Sequence, residues 1–503
     1  MNANCVDYFT CGGAPPDSNA TVMTFEDLLH PWLEAYFRSP QWLKNTVGHT
    51  YASVAERLRG GRYHGFAQQA ALRDPAILRT LSLDKLRTTL QWGLETVPAY
   101  ASYRHLSRSL DTPLAVLAAL PLTTKEMIRQ DISRHVSSAM GPRHRLKVAT
   151  GGSTAVPMQF YLHKGVTRTK EHAYIDAFQR TAGRAPTEVV LSLRGRAVPG
   201  ARRDAGRLWM VEPIKRELIL SCDHMTPDHM PAYVQALRTW KPSFIQAYPS
   251  AIYPLARWLQ QHPAPDVTAG MRAIMLFSEN VLPHHRQVLD AVFDCPVLQH
   301  YGQSERILMA MSMPDDARYF FFPQYGHVEL LDSAGAPVTT PGAIGEIVGT
   351  AFDNLVMPFI RYRTGDMAVL ASAGSAHPAL PGFPVLERIA GRSQEFLVCR
   401  DYRLISLNSL TTPRYDELTE VEDLQFEQHL PGHFLIRVVT GAALSFQARR
   451  RLVRAMEEKT VGGCTAEVVE VDRIARTARG KQRMLVQHLD VTRYFGAAPA
   501  VCS

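Results

Sequence analysis

The chain contains no apolar run near the roughly eighteen residues that a membrane span requires. Its opening, MNANCVDYFT, lacks the basic region and apolar core of a secretory leader. A membrane span is therefore not expected, and the predicted location is cytoplasmic. Cysteine is scarce: seven residues, at positions 5, 11, 222, 295, 399, 464 and 502, an odd number without pairs at metal-ligand spacing. That pattern argues against a disulfide frame or a zinc site, so reduced thiols and no structural metal are expected. Blocks of one charge are also missing. The net charge of +8 and pI near 9.1 suit anionic ligands, yet Lys and Arg are spread along the chain, so a nucleic-acid partner is not indicated. No compositional sign of disorder is present, since 46% apolar and 20% charged residues are ordinary for a folded enzyme.

What is there begins with length. At 503 residues the chain exceeds the size at which single cores stop growing, about 250–300 residues, so two or three domains are expected. Residues 1–23, rich in Gly, Pro, Asn and Ser, should fray. A helix is predicted to open at Thr24 (TFEDLLHPWLEAYFRSPQWL), with acids in its first turn and Pro31 marking a break. Further helical patterns run to about Leu110, notably LRTTLQWGLETV, and LPLTTKEMIRQD adds a helix capped by Thr123 or Thr124.

Between residues 186 and 302 the pattern alternates. EVVLSL and ELILSC read as strands, and TPDHMPAYVQALRTW as a helix with Thr226 as cap. SFIQAYP and MRAIMLF are strands followed by the helices SAIYPLARWLQQH and LPHHRQVLDAVFD, and VLQHYG is a further strand. Such alternation specifies an α/β fold with a doubly wound parallel sheet, whose ligands bind at the carboxyl edge. Three polar turns end there: Tyr248-Pro249-Ser250, Phe277-Ser278-Glu279 and Tyr301-Gly302-Gln303. The segments GHVELLD, GEIVGTAF and MPFIRYRTGDMAVL then predict an antiparallel β subdomain from about residue 318. After Arg392, FLIRVVT and AEVVEVD flank the helix SFQARRRLVRAMEEK, a small α+β unit.

Several stretches carry chemistry. In CPVLQHYGQSE, Tyr301 offers a flat face for a base, Gly302 and Gln303 offer backbone, and Glu305 offers hard oxygen for Mg²⁺. KVATGGSTAVPMQFYL holds a Gly- and hydroxyl-rich loop able to surround phosphate. It is not a Walker loop, because no Gly-Lys-Ser/Thr opens a helix there. RYRTGD sets Asp366 after a tight Thr-Gly step, where a carboxylate can accept from two ribose hydroxyls. Each stretch, taken singly, is equally an ordinary turn.

Together, TGGSTAVP, FSENVLP, YGQSE, YRTGD, GRSQEFLV and ARGKQR stand in the order and approximate spacing of the adenylate-forming ligases. The chain resembles their phenylacetate–CoA ligase branch, including relatives in capsule and natural-product clusters, and LPLTTK and KPSFIQAYPS fit the same branch. The resemblance covers nearly the whole chain. It implies a large domain over 24–391 and a small mobile α+β domain over 392–503.

The resemblance also implies residue roles. Gly151, Gly152, Ser153 and Thr154 match the phosphate loop, Phe277, Ser278 and Glu279 the adenine wall, and Tyr301 the adenine stack. Gly302, Gln303 and Ser304 accompany that stack in the same motif. Glu305 matches the Mg²⁺ carboxylate, Asp366 the ribose acid, Arg392 the arginine beside the hinge, Gln394 a hinge position, and Lys481 the catalytic lysine. The implied reaction joins a carboxylic acid to ATP, giving acyl-AMP and pyrophosphate, and then transfers the acyl group to coenzyme A. An amine or a carrier protein is the alternative acceptor, and a degenerate nucleotide-binding scaffold the alternative function.

Two departures stand out. Ala155 and Val156 occupy places where the family commonly has Gly and Lys, and Gln394 and Glu395 replace a usual pair of aspartates. Arg449, Arg450, Arg451 and Arg454 could meet coenzyme A phosphates or simply face water. Cys502 could take an acyl group or be an idle surface thiol. Tyr248 and Phe277 near the crevice suggest an aromatic or medium-sized apolar acid. The residues leave the oligomeric state open, a homodimer being one option.

Overall fold

The computed structural model describes residues 36, 39–53, 62–149, 158–185, 187–194, 198, 208–222, 225, 227–279, 281, 283–372, 374, 376–392, 396–402, 404–406, 421–460, 462–475 and 483–491. Residues 1–23, most of the helix expected from Thr24, and the Thr226 cap lie outside this set.

The helices that frame the site are α1 (Gln41–Ser53), α2 (Tyr63–Ala71), α3 (Pro75–Thr96), α4 (Lys125–Gln130), α5 (Thr167–Thr181), α6 (Met230–Trp240), α7 (Pro249–Gln261) and α8 (Pro283–Val292). Their starts follow local chemistry. Asp74 caps α3 by accepting from Ala76 and Ile77 N–H, and Thr124, one of the two expected caps, closes α4 by accepting from Met127 N–H. Pro249 sits in the first turn of α7, where its missing N–H costs nothing.

Strands β1 (Arg145–Ala149) and β2 (Gln159–His163) pair antiparallel up to Ala149 opposite Gln159, so TGGSTAVP is the connection between them. The large sheet comprises β3 (Val190–Leu193), β4 (Trp209–Glu212), β5 (Glu217–Leu220), β6 (Phe244–Ala247), β7 (Ala273–Phe277), β8 (Val297–Gly302), β9 (Met309–Met313), β10 (Asp316–Phe321), β11 (Gly326–Leu331), β12 (Ile344–Ala351), β13 (Tyr362–Leu370) and β14 (Val385–Arg392). Its order is β11-β12-β13-β14-β10-β9-β8-β7-β6-β3-β5-β4. Strands β5, β3, β6, β7 and β8 run parallel. Every residue of β3, β5, β6 and β7 is buried, so these strands are mostly apolar, with Ser192, Glu217 and Gln246 as buried polar exceptions. Leu191, Leu218, Ile245 and Ile274 face α6, α7 and α8, while Val190, Phe244, Met275 and Leu298 face α2 and α5. Helices thus cover both faces, as a doubly wound sheet requires.

The antiparallel strands expected as a subdomain continue this same sheet, because β9 pairs with β8 through Tyr301 opposite Ala310. The tight step expected before Asp366 lies inside β13. Gly365 adopts φ 76° where the register to β12 shifts, making a bulge that only Gly accommodates without strain.

At the C-terminal end, β15 (Phe396–Val398) pairs with β16 (Leu404–Ser406). A four-stranded sheet follows, ordered β19-β18-β17-β20, from β17 (Val421–Leu430), β18 (His433–Thr440), β19 (Thr465–Glu470) and β20 (Leu485–Gln487). Helix α9 (Phe446–Lys459), capped by Ser445, packs Leu452 and Met456 against Phe426 and Ile436. Strand β20 is absent from the sequence expectation: three residues are too short for a periodic signal, and its parallel pairing with β17 is long-range. Within this core the free thiols of Cys399 and Cys464 lie 3.7 Å apart.

One buried cation ties the layers together. Lys170 of α5, fully enclosed, donates to Tyr325 O at 3.1 Å and Phe352 O at 2.6 Å, and Lys85 of α3 meets the same Asp353 that Lys170 faces. Burial lowers the Lys170 pKa to about 8, although Asp353 acts in the opposite direction. Between pH 8 and the ordinary lysine value the unfolded chain holds a proton that the folded one lacks, so stability rises with pH in that window. The rise from this group is on the order of 3 kcal/mol. Denaturant midpoints at pH 7.5 and 9.5 should show about 2 kcal/mol of that rise in the parent and its loss in Lys170→Met; equal slopes would show that Lys170 is not the group responsible.

Candidate active site

The site grows from the carboxyl edge of the parallel strands. Strand β8 ends in Tyr301-Gly302, followed by Gln303, the exposed Ser304 and the buried Glu305. Gln303 Oε1 accepts from Leu308 N–H at 3.1 Å and so closes the turn. The left-handed residue of this turn is Arg306, φ 55°, and not Gly302 as the Tyr-Gly step suggested. Gly302 is required for another reason: a Cβ there would sit 2.9 Å from His300 Cε1.

The YGQSE and YRTGD motifs hold each other. Tyr301 O–H donates to Asp366 Oδ2 at 2.9 Å, and Tyr362 O–H donates to Glu305 Oε1 at 2.8 Å. Each motif's tyrosine therefore serves the other motif's acid. All four side chains are buried, which strengthens both contacts. Burial first, and then the neighbouring carboxylate, pushes each phenol pKa far above its ordinary value, so both tyrosines stay donors wherever the fold survives. Glu305 Oε2 has no hydrogen-bond partner among the described residues. A buried carboxylate with one oxygen anchored and one uncommitted fits a hard divalent cation such as Mg²⁺.

Tyr362 escaped the sequence reading, although it opens the YRTGD motif. Its placement depends on LPLTTK. Thr123 bridges in parallel with Tyr362, donating its N–H to Arg361 O and accepting from Arg363 N–H, both at 2.9 Å. Arg361, left-handed at φ 47°, donates to Ala118 O and Leu120 O and pairs with Glu329 at 3.0 Å. Thr123 and Arg361 thus fix the strand that carries Tyr362 and Asp366.

At the next turn, Phe277 is buried and Ser278 holds φ 62°, a conformation costing a non-Gly residue about 1–2 kcal/mol. Glu279 accepts from Ser250 N–H at 3.0 Å and Ser250 Oγ at 3.1 Å. Its carboxylate caps α7 and binds two of the three edge turns together. The half-buried Tyr248, in the same turn as Ser250, ties that turn to the end of β3 by donating its N–H to Leu193 O at 2.9 Å.

The structure accordingly gathers Tyr248, Phe277, Ser278, Glu279, Tyr301, Gly302, Gln303, Ser304, Glu305 and Asp366 along one edge. Gly151, Gly152, Ser153, Thr154, Gln394 and Lys481 lie outside the described residues. Arg392 is opposite Asp366 in the β13–β14 register, which places its backbone at the site. Of the helix α9 arginines, Arg449 binds Val468 O and Glu470, and Arg454 pairs with Glu458 at 2.9 Å, so both are engaged within their own unit. One His/acid group among the described residues has atoms close enough to share an ion: Glu427, His429 and His488. Both imidazole Nε2 atoms lie 3.0 Å from Glu427 Oε1, with the rings stacked 3.9 Å apart.

A doubly wound sheet with polar turns at its carboxyl edge, extended by antiparallel strands and followed by a small α+β unit, is the architecture that the resemblance to adenylate-forming ligases implied. No family model matches the chain. Curated relatives and solved structures do. The chain is 22% identical over 381 residues to Protein CapK of Staphylococcus aureus, covering 75% of this chain and 81% of that protein. It is 23% identical over 366 residues to a phenylacetate-coenzyme A ligase of Pseudomonas putida, covering 70% and 78%. A 2-hydroxyisobutyryl-CoA ligase in its postadenylation state superposes with a TM-score of 0.62 at 16% identity, over 85% of this chain and 92% of that one. The same ligase in the thioesterification state gives 0.51. These likenesses, at 22–23% identity to the curated relatives and with a shared fold, support the adenylate-forming superfamily and its phenylacetate–CoA ligase-like branch. No helix among the described residues is long and apolar enough to cross a membrane.

Proposed function

We propose that the protein activates a carboxylic acid with ATP, releasing pyrophosphate, and passes the acyl group to coenzyme A. The observation that carries this reading is the pair of tyrosine–carboxylate contacts, which hold Glu305 and Asp366 along one sheet edge. Asp366, oriented by Tyr301, would accept from the ribose hydroxyls, and the Tyr301 face and Gly302 backbone would lie against adenine. Glu305 would hold Mg²⁺, which when bound neutralises phosphate charge. Bringing two anions together is the electrostatic difficulty of the reaction, so fixed donors and cations should supply most of its rate. Gly151, Gly152, Ser153 and Thr154 would cradle the phosphates, Arg392 and Gln394 would flank a hinge between a large domain over 24–391 and a small one over 392–503, and Lys481 would reach the α-phosphate.

The named activities of the phenylacetate-coenzyme A ligase and 2-hydroxyisobutyryl-CoA ligase relatives support the acid–thiol reading. CapK carries no such name, so an amine or carrier-protein acceptor is the second reading. The test is ATP–pyrophosphate exchange across a panel of acids, with and without coenzyme A. Exchange should require both acid and Mg²⁺. Asp366→Ala should weaken nucleotide binding about tenfold through loss of its charged acceptor. ATP binding without exchange on any acid would favour a scaffold, and unchanged affinity in Asp366→Ala would remove that residue from the site.

A further inference from the structure

Alternation along β8 sends Tyr301 to one face of the sheet and His300 to the other. The Tyr301 face holds the two tyrosine–carboxylate pairs. The His300 face holds a second polar group that none of the motifs includes.

Arg194, the first residue after β3, places its guanidinium 4.8 Å over the Phe277 ring and donates from Nη1 to Gln246 Oε1 at 3.3 Å. Gln246 and Glu217 are both buried, and Gln246 Nε2 donates to Glu217 Oε1 at 2.9 Å. The carboxylate needs a donor and the guanidinium an acceptor, so the amide can face only one way. Beside this relay, the Phe277 ring centre lies 4.8 Å from that of His300, which also leans on Phe178 at 5.8 Å. Burial first, and then the Arg194 charge, lowers the His300 pKa to about 3, so the imidazole is neutral. Its Nε2 is shielded from water and has no hydrogen-bond partner among the described residues.

Arg194 and His300 are half-buried at the open edge, two residues short of Gly302 in the case of His300. Among the described residues Arg194 meets a neutral amide and an aromatic face, but no carboxylate. A guanidinium held by a buried relay, lying on a ring and lacking a counter-ion, is arranged to receive a planar anion through its remaining N–H groups. On the acid-activating reading above, the reacting carboxylate would lie beside Glu305, on the other face of β8, so an anion at Arg194 would be a different group.

We propose that the Arg194 guanidinium, seated on Phe277 beside His300, binds a second carboxylate at the far end of the acid substrate, so that the substrate class is dicarboxylic acids. This rests on the acid-activating reading above. It also departs from the aromatic or medium apolar acid expected from Tyr248 and Phe277, because Phe277 is buried and its ring is covered by the arginine and by His300.

The experiment pairs each dicarboxylic acid with the monocarboxylic acid of the same chain length. Binding is measured by calorimetry in the presence of a non-hydrolysable ATP analogue and Mg²⁺, and pyrophosphate exchange is measured in parallel, on the parent, Arg194→Met and Arg194→Lys. For the chain length that fits, the dicarboxylate should bind about tenfold to a hundredfold more tightly than its partner. Arg194→Met should abolish that preference while leaving monocarboxylate binding near the parent value, and Arg194→Lys should restore part of it. Unfolding midpoints on the same samples separate a folding defect from a lost contact. Equal loss for both acids in Arg194→Met, a preference for monocarboxylates in every pair, or no binding by any dicarboxylate would overturn the proposal. Arg194-dependent binding of dicarboxylates without exchange would uphold it while overturning acid activation.

Discussion

Lys481→Ala is expected to lose about 10²–10³-fold in acyl-adenylate formation, the usual consequence of removing one preorganised transition-state donor. The loss should be confined to that half-reaction. In the proposed cycle the small domain brings this ammonium to the α-phosphate only while the carboxylate attacks, and then turns so that coenzyme A can approach. The variant should therefore still bind ATP, and should convert chemically prepared acyl-AMP plus coenzyme A at close to the parent rate. Measuring both half-reactions on one preparation decides the matter. Equal loss in both would make Lys481 structural or remove the rotation, and no loss in either would mean that ARGKQR is not the lysine loop.

Glu305→Gln should have an effect of similar size, on the order of 10³-fold in adenylation, because a carboxylate ligand to the cation is replaced by a neutral amide in a buried place. The shape of the variant is nearly that of the parent, and the amide oxygen can still accept from Tyr362. Raising the Mg²⁺ concentration should recover part of the rate in Glu305→Gln. Tyr362→Phe isolates the anchoring contact, since it removes one hydrogen bond and keeps the charge; about tenfold is expected there. If Glu305→Gln responds to Mg²⁺ as the parent does, the carboxylate serves only as Tyr362's acceptor and the cation is held elsewhere.

The parallel core was legible because strands buried on both faces are largely apolar, as in AIMLF, and because helices of regular length separate them. Glu305 and Asp366 were legible because their motifs are compact. Their partners were not, since Tyr301 and Asp366 are 65 residues apart and Tyr362 and Glu305 are 57 apart, separations at which local pattern carries no information. The same holds for Arg194 and Gln246, 52 residues apart, whose contact depends on β3 and β6 lying side by side. The single twelve-stranded sheet was hidden for a different reason. A change from helix-separated to directly connected strands reads as the start of a separate β subdomain, yet β8 and β9 pair across it. The Thr-Gly step suggested a turn because Gly365 does take a positive φ, but pairing on both sides absorbs it as a bulge.

The exchanged tyrosines of YGQSE and YRTGD also bear on how such chains can recombine. Tyr301 and Glu305 lie on one side of the segment 306–361, and Tyr362 and Asp366 on the other. A crossover between two homologous genes inside that segment would give both hydrogen bonds one parent's donor and the other parent's acceptor, so that any difference in backbone placement is felt twice. Crossovers before residue 301 or after residue 366 inherit the quartet whole. Breakpoints in functional chimaeras should therefore be depleted across 306–361, and the two motifs should descend together as one heritable block.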